Sequence, residues 1–305
     1  MKGQLYAAFM ERRGRRILAG AGCYWYGVNP RMIMSIPYQE KMDLPVEEIQ
    51  HLLRRYRIMG ARYLTDIRNG LAGGVYVRQK SPYTISSVDR KAKNAVRRSL
   101  EKCTLREVEK DELRRQGLQL NLDTMARQKR FDPEFGLERF WRRLVDAAYG
   151  SPGVKVMGAF ANGALAAYVI TLTEDRWVHL LHQFSATRLL GECFPNNALT
   201  FGLTKAAMEN PSVDVICCGL AGLVEGQGLH QYKLHHGYQF IPYGYAFVLH
   251  PAIRCLLANP VSARGIQHAQ RFFPGVQLFE RIGSVIEGAR MTQPRNLVIS
   301  RREAA

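Results

Sequence analysis

The chain of 305 residues exceeds the roughly 100 to 200 residues of one domain, so two domains or two fused halves are the first expectation. Hydrophobic residues make up 47% and charged residues 23%, which fits a globular protein, and no apolar run reaches the roughly 18 residues of a membrane span. Net charge is +17 and concentrated early: residues 51–100 hold 12 Lys and Arg against 2 acids, a field that favours nucleic acid, a phosphate-bearing cofactor or a membrane surface without choosing among them.

At the N-terminus "ERRGRR" breaks the charged, apolar, small-residue succession of a signal peptide, so a cytoplasmic location is expected. Cys23, Cys103, Cys193, Cys217, Cys218 and Cys255 form no CxxC pair, which points to reduced thiols. The segment "DLPVEEIQHLLRRYRIMG" opens with Asp43 before Pro45 and spaces Ile49, Leu52, Leu53 and Tyr56 as one helix face. "ARYLTDI" then reads as a strand and "NGLAGG" as a loop.

Ser86 followed by Asp89 reads as a capping-box-like start to "SSVDRKAKNAVRRSL". On a wheel of 100° per residue Arg90, Lys91, Lys93, Arg97 and Arg98 share one side, opposite Val88, Ala92, Ala95, Val96 and Leu100. The cationic side has two readings, a solvated face or a phosphate grip. "LREVEKDELRRQGLQLNLDTMARQKR" reads as a mixed-charge helix bridging two halves.

From residue 154 three antiparallel strands are expected in "VKVMGAF", "ALAAYVITLT" and "RWVHLLHQFSA". His179 and His182 lie three apart in the last of these, on opposite faces of a regular strand, so they read as packed side chains and no metal site is expected. There follow a helix in "NNALTFGLTKAAMENP", a buried strand in "VDVICC" that makes Cys217 and Cys218 core residues, and a loop in "GLAGLVEGQG". A short helix carrying Lys233 comes next, and then the aromatic strand "YQFIPYGYAFVLH". The order helix, strand, GLAG occurs twice, at Gly70–Gly73 and Gly219–Gly222, which suggests an internal duplication. Residues beyond Pro251 give apolar groups at helical spacing interrupted by Gly and Pro.

The succession of three strands, helix, strand, helix and strand over about residues 150–250 resembles the acyl-CoA N-acyltransferase fold, the GNAT superfamily. Two such halves, with "DRKAKNAVRRSL" in the first and "QYKLHHG" in the second, resemble its Fem-type branch, which includes peptidoglycan aminoacyl transferases. In that branch an aromatic residue and a lysine precede a glycine, as Tyr232, Lys233 and Gly237 do here. The resemblance implies an α/β (α+β) chain of two GNAT-like halves, residues 1–135 and 136–305, each a mixed, largely antiparallel sheet flanked by helices, the second with a helical extension.

It also implies acyl transfer to an amine by direct attack, from an acyl-CoA-type donor such as acetyl-CoA, without a metal. The alternatives are an aminoacyl-tRNA donor, or a non-catalytic binder of RNA or an anionic membrane surface. Lys233 and Tyr232 are the implied catalytic residues, although helix neighbours point about 100° apart and cannot both face one site. Lys233 has a second reading, as a cation complementing the negative end of its helix. The GNAT cofactor loop runs Gln or Arg, two residues, Gly, one residue, then Gly or Ala, leading into a helix. "RLLGEC" supplies Arg188 and Gly191 ahead of a helix holding Asn197, with Cys193 at the small position and Glu192 beside it, and its second reading is an ordinary strand-to-helix connection. Arg90, Lys93, Arg97 and Arg98 are the candidate contacts to donor or acceptor phosphates.

Overall fold

A computed structural model of the protein describes residues 1–29, 31–222, 227–257, 260–272 and 277–292. In chain order the elements are α1 (Gln4–Arg12), β1 (Ile17–Gly20), β2 (Cys23–Asn29), β3 (Met32–Ile36), α2 (Val46–Tyr56), β4 (Gly60–Thr65), β5 (Leu71–Gln79), α3 (Arg90–Lys102), β6 (Thr104–Glu107) and α4 (Lys110–Arg127). These lead to α5 (Pro133–Gly136), α6 (Glu138–Gly150), β7 (Val154–Ala161), β8 (Ala164–Glu174), β9 (Trp177–Ser185), α7 (Pro195–Glu209), β10 (Val215–Leu220), α8 (Gln227–His235) and β11 (Gln239–Leu249). The helices α9 (Pro251–Leu257), α10 (Pro260–Phe272) and α11 (Gln277–Met291) follow. They account for the apolar groups beyond Pro251.

The chain folds as two compact units, each discontinuous in sequence. The first comprises Met1–Ile17, Val75–Ala221 and Glu225–Ile241, and the second Leu18–Gly74, Gly222–Val224 and Pro242–Ala305. In the first unit the strand order is β5-β10-β9-β8-β7-β6, antiparallel throughout except where β9 and β10 run parallel. Helices α3 and α7 pack on one face, while α1, α4 and α6 lie against the other. Central strand β8 is therefore buried along most of its length, which is why "ALAAYVITLT" reads as a continuous apolar run rather than an alternation. Helix α4 buries Leu113, Leu120, Asn121, Thr124 and Met125, and Asn121 accepts a hydrogen bond from the Tyr168 hydroxyl and donates to the Phe135 carbonyl. The expected bridge between halves is thus a core helix, preceded by strand β6; its surface charges concealed the buried stripe.

In the second unit the order is β1-β2-β3-β4-β11, with β3 and β4 parallel and β11 antiparallel to β4. Helix α2 buries Ile49, Leu52 and Leu53, as the spacing requires. Pro45 is its N-cap residue and no side chain caps it, so Asp43 does not have the expected place. The strand and helix sequence β1-β2-β3-α2-β4 in this unit repeats as β7-β8-β9-α7-β10 in the first, and each ends in a parallel pair flanked by a further antiparallel strand. Both halves have the mixed, GNAT-like arrangement. The tetrapeptide is not its marker, however: Gly70–Gly73 leads into and begins β5, whereas Gly219 and Leu220 end β10. Part of the loop "GLAGLVEGQG", residues 223–226, lies outside the described residues.

Helix α3 starts one turn later than the sequence suggests. Asp89 is its N-cap, accepting from the Lys91 N–H at 2.8 Å, while the capping box belongs to the 3-10 turn at Ile85–Ser87, between Thr84 and Ser87. Ala92, Val96 and Ser99 are buried, but Leu100 is 41% exposed. The helix continues to Lys102, so Glu101 joins the cationic face at about 20° from Arg90.

Candidate functional site

Parallel strands need not stay paired to their ends. In the first unit β10 pairs with β9 only at Val215 with Trp177, Ile216 with Val178 and Cys217 with His179, although β9 runs on to Ser185. Both strands carry an extra residue just past the last pair. Leu181 is inserted in β9 opposite β8, and the Cys218–Gly219 segment of β10 shifts register against β5, with Gly219 in the left-handed region at φ 83°. A bulge bends its strand, so these two insertions open a gap between β9 and β10 beyond their last pair. The second unit has the matching gap between β3 and β4, but its own chain fills it: Lys41 bridges to Leu64, and the Met42 N–H donates to the Leu64 carbonyl at 2.8 Å. Beyond their last pair, only the strands of the first unit part without a segment of their own chain between them among the described residues.

Helix α8 stands beside this gap. It ends on Gly237 at φ 78°, with the Tyr238 N–H donating to the Lys233 carbonyl at 3.3 Å and the Gly237 N–H to Leu234 at 2.9 Å. This pairing is the Schellman closure, and it explains the glycine four residues after the lysine. A Cβ at Gly237 would lie 2.8 Å from the Ser87 carbonyl oxygen. Three further hydrogen bonds hold the helix end: Tyr83 Oη to the His236 carbonyl at 2.9 Å, Arg78 to the Gly237 carbonyl at 2.9 Å, and the Asp89 N–H to His235 at 2.8 Å.

Lys233 is not a surface cation. It is 5% exposed, and its Nζ lies 3.9 Å from the centroid of the Tyr76 ring. Tyr76 lies on β5 opposite the bulge of β10, so the ammonium sits at the level where β9 and β10 part. Oη of Tyr76 is 2.7 Å from Nδ1 of His230, and the Phe240 ring completes the cluster at centroid distances of 5.2 and 5.7 Å from Tyr76 and His230. An ammonium over an aromatic face gains electrostatic attraction that grows as water is excluded.

Tyr232 points elsewhere, as the helical offset requires. Its hydroxyl donates to the Asn196 carbonyl at 3.0 Å and lies 2.9 Å from the Thr200 hydroxyl. Burial pushes that hydroxyl well above its usual pKa, and the Thr200 hydrogen bond only partly offsets this. Asn196 in turn bonds Gln183 and Ser185 of β9, at 3.1 and 3.0 Å, so α8, the first turn of α7 and β9 form one hydrogen-bonded rim around the gap. His236 donates from Nδ1 to the Tyr232 carbonyl at 2.8 Å, which leaves Nε2 unprotonated, buried and without a hydrogen-bond partner. Burial lowers the pKa of this ring.

The structure brings the cationic face of α3 to the connection between β9 and α7. Arg98 stacks 5.3 Å from the Phe194 ring, and Lys102 donates to the Glu192 carbonyl at 3.0 Å. Arg90, Arg97 and Arg98 are exposed and Lys93 half-buried. In the connection itself Arg188 is exposed, Gly191 has open space where a Cβ would stand, and Asn197 lies in the first turn of α7 with its N–H on the Phe194 carbonyl. The N–H groups of Leu189, Leu190 and Cys193 are spent on Ala186, Thr187 and Leu189 carbonyls, so this loop offers fewer donors to a pyrophosphate than its sequence pattern implies.

His179 and His182 do not take opposite faces of β9, because Leu181 bulges out between them. The extra residue restores both rings to one face, His179 edge-on to Tyr6 and His182 with Nε2 2.9 Å from Arg13. Burial lowers His179 to about 4, and burial with the nearby Arg13, Arg130 and Arg15 holds His182 well below the usual imidazole range. Among the described residues no group of three or more His, Cys, Asp or Glu is placed to hold a metal, and no helix is long and apolar enough to cross a membrane.

Sequence reasoning did not find Tyr76, His230, Asn196, Gln183 or His236. The run "LHHG" was the available signal for His236; Tyr76 and Gln183 depend on strand register, and His230 and Asn196 on how α8 and α7 pack, which no local pattern carries.

No protein-family model matches the sequence, and no curated protein matches it. Solved structures do match the fold. The crystal structure of FemX superposes with a TM-score of 0.58 at 10% identity, covering 84% of this chain and 94% of that one. The C-terminal domain (DUF2156) of a putative lysylphosphatidylglycerol synthetase from Agrobacterium fabrum gives 0.53 at 10% identity, covering 87% and 90%. L-PGS from Bacillus licheniformis gives 0.53 at 11% identity, covering 92% of each chain. The fold is GNAT-like, with a Fem protein among its structural relatives.

Proposed function

We propose that this protein transfers an acyl group from a phosphate-bearing donor to an amine, with the reacting carbonyl in the gap between β9 and β10 of the first unit. The carrying observation is the buried ammonium of Lys233, held over Tyr76 at the level where the two strands part. The amine nitrogen attacks the carbonyl carbon, the bond from that carbon to the leaving group breaks, and the proton lost by the amine ends on the departing thiolate or ribose oxygen, so that an amide and the protonated leaving group result. Charge develops on the carbonyl oxygen and then on the leaving group; the preorganised ammonium of Lys233 stabilises it without reorganisation. Tyr232, kept protonated by burial, serves in this reading to fix α8 against α7, and the cationic face of α3 receives the donor's phosphates.

An acyl-CoA-type donor is the first reading, supported by the mixed, GNAT-like strand arrangement of the first unit. A second reading, an aminoacyl-tRNA donor, is favoured by two observations: the connection between β9 and α7 spends its N–H groups internally, and the cationic face of α3 extends over a helix of 13 residues, about 20 Å, longer than one pyrophosphate needs. Names of structural neighbours are compatible with an aminoacyl group, one being a putative lysylphosphatidylglycerol synthetase.

Native mass spectrometry of freshly purified protein distinguishes the donors. Retained mass equal to coenzyme A supports the first reading, and retained tRNA the second. Retention of neither, together with no acyl transfer from a panel of acyl-CoAs and charged tRNAs to amines, would leave the non-catalytic binder.

A further inference from the structure

The outward faces of α9 and α10 in the second unit play no part in the proposed chemistry, yet their composition is one-sided. No Asp or Glu occurs between Glu225 and Glu280, while α9 and α10 carry Arg254, Arg264, His268 and Arg271. Three large apolar side chains on the same two helices stand in water: Leu256 is 64% exposed, Val261 78% and Phe272 76%.

Their placement is ordered. At 100° per residue Val261, Gly265 and Phe272 fall within about 40° of one another along α10, and His268, Arg264 and Arg271 occupy the adjoining sector of about 60°. The His268 and Phe272 rings stack with centroids 6.4 Å apart, joining the two sectors. Single exposed apolar residues are ordinary; an aligned apolar seam edged by cations and by no acid is the pattern of a helix that lies in a lipid interface.

We propose that α9 and α10 dock this protein on an anionic bilayer, with Leu256, Val261 and Phe272 entering the acyl boundary and Arg264 and Arg271 at the phosphate level. Nucleic acid is a poorer occupant, because phosphates give aliphatic Leu256 and Val261 nothing to bury against. A second copy is poorer still, since a self-complementary contact would set the same cations against each other without an acid to pair them.

The test is co-sedimentation of the full chain with vesicles of phosphatidylcholine alone and of phosphatidylcholine mixed with phosphatidylglycerol. Binding to the mixed vesicles, weakened by salt and not displaced by soluble glycerol phosphate, is the expected result. Val261→Ser with Phe272→Ser should weaken it on the order of tenfold, and each of Arg264→Gln and Arg271→Gln about fivefold. Arg97→Glu with Arg98→Glu on α3 should leave it unchanged. A Phe272→Trp protein should show a blue-shifted emission on the mixed vesicles, which reports insertion even if the serine variant folds poorly. No binding to mixed vesicles, equal binding by the α10 variants, loss through the α3 variant instead, displacement by glycerol phosphate, or competition by RNA without any tryptophan shift would each overturn the proposal.

Discussion

Nζ of Lys233 lies 3.9 Å from the centroid of the Tyr76 ring, and Oη of that same tyrosine is 2.7 Å from Nδ1 of His230. The lysine comes from α8 and the tyrosine from β5, residues 157 positions apart in sequence, so the pair exists only because β5 lies beside β10 in the first unit. Burying an ammonium is costly unless something replaces its water, and the ring face does part of this.

Replacing the ring should therefore cost more than replacing its hydroxyl. Tyr76→Phe keeps the face and loses the hydrogen bond with His230, at about 1 kcal/mol. Tyr76→Leu removes the face beneath a desolvated cation and should cost about 2 kcal/mol more, with a matching fall in turnover. Urea denaturation of both variants checks the order; equal losses would mean the ring does not hold the ammonium.

Arg97→Glu with Arg98→Glu should weaken donor binding and flatten its salt dependence while leaving the melting temperature within a few degrees, since both side chains are exposed. Titration of coenzyme A and of tRNA over a salt series is the measurement. Unchanged affinity at low salt would make the α3 face a solvated one.

Gly237→Ala places a side chain at φ 78° and 2.8 Å from the Ser87 carbonyl oxygen, against the end of α8. A loss of at least about 1 to 2 kcal/mol in unfolding free energy is expected from the left-handed backbone alone. Gly191→Ala, where nothing stands in the way, should be near neutral.

His179 gives a pH dependence with a definite sign. Its folded pKa is lowered to about 4 against roughly 6.5 in the unfolded chain, so the unfolded state binds the proton first. Its contribution to stability is complete above about pH 6.5 and is lost as pH falls toward 4, by up to roughly 3 kcal/mol. Denaturation midpoints for wild type and His179→Leu from pH 7 to 4, a window set by these two pKa values, should converge on a flatter curve for the variant.

The local order of elements was legible because it rests on periodicity: β7, β8, β9, α7 and β10 all lie where their apolar patterns put them. Lys233 could be singled out by its place before Gly237, though its burial could not, because a last-turn lysine looks the same whether it faces water or Tyr76. Three things escaped for one reason. The Leu181 bulge, the pairing of β5 with β10, and the core role of α4 are set by contacts between distant segments, and each changed a site inference: which face His182 takes, what lies beneath Lys233, and whether the charged segment bridges or packs.

In the proposed reaction the Lys233 ammonium stabilises charge at the reacting carbonyl or leaving group. With the donor identified by native mass spectrometry and an amine acceptor in hand, the decisive measurement is the single-turnover rate of Lys233→Ala beside its melting temperature. A fall of roughly a hundredfold to a thousandfold, about 2.7 to 4 kcal/mol, is expected, with little change in melting temperature and only partial rescue by Lys233→Arg. A near-normal rate in the alanine variant would contradict it and leave Lys233 as a cation stored over Tyr76.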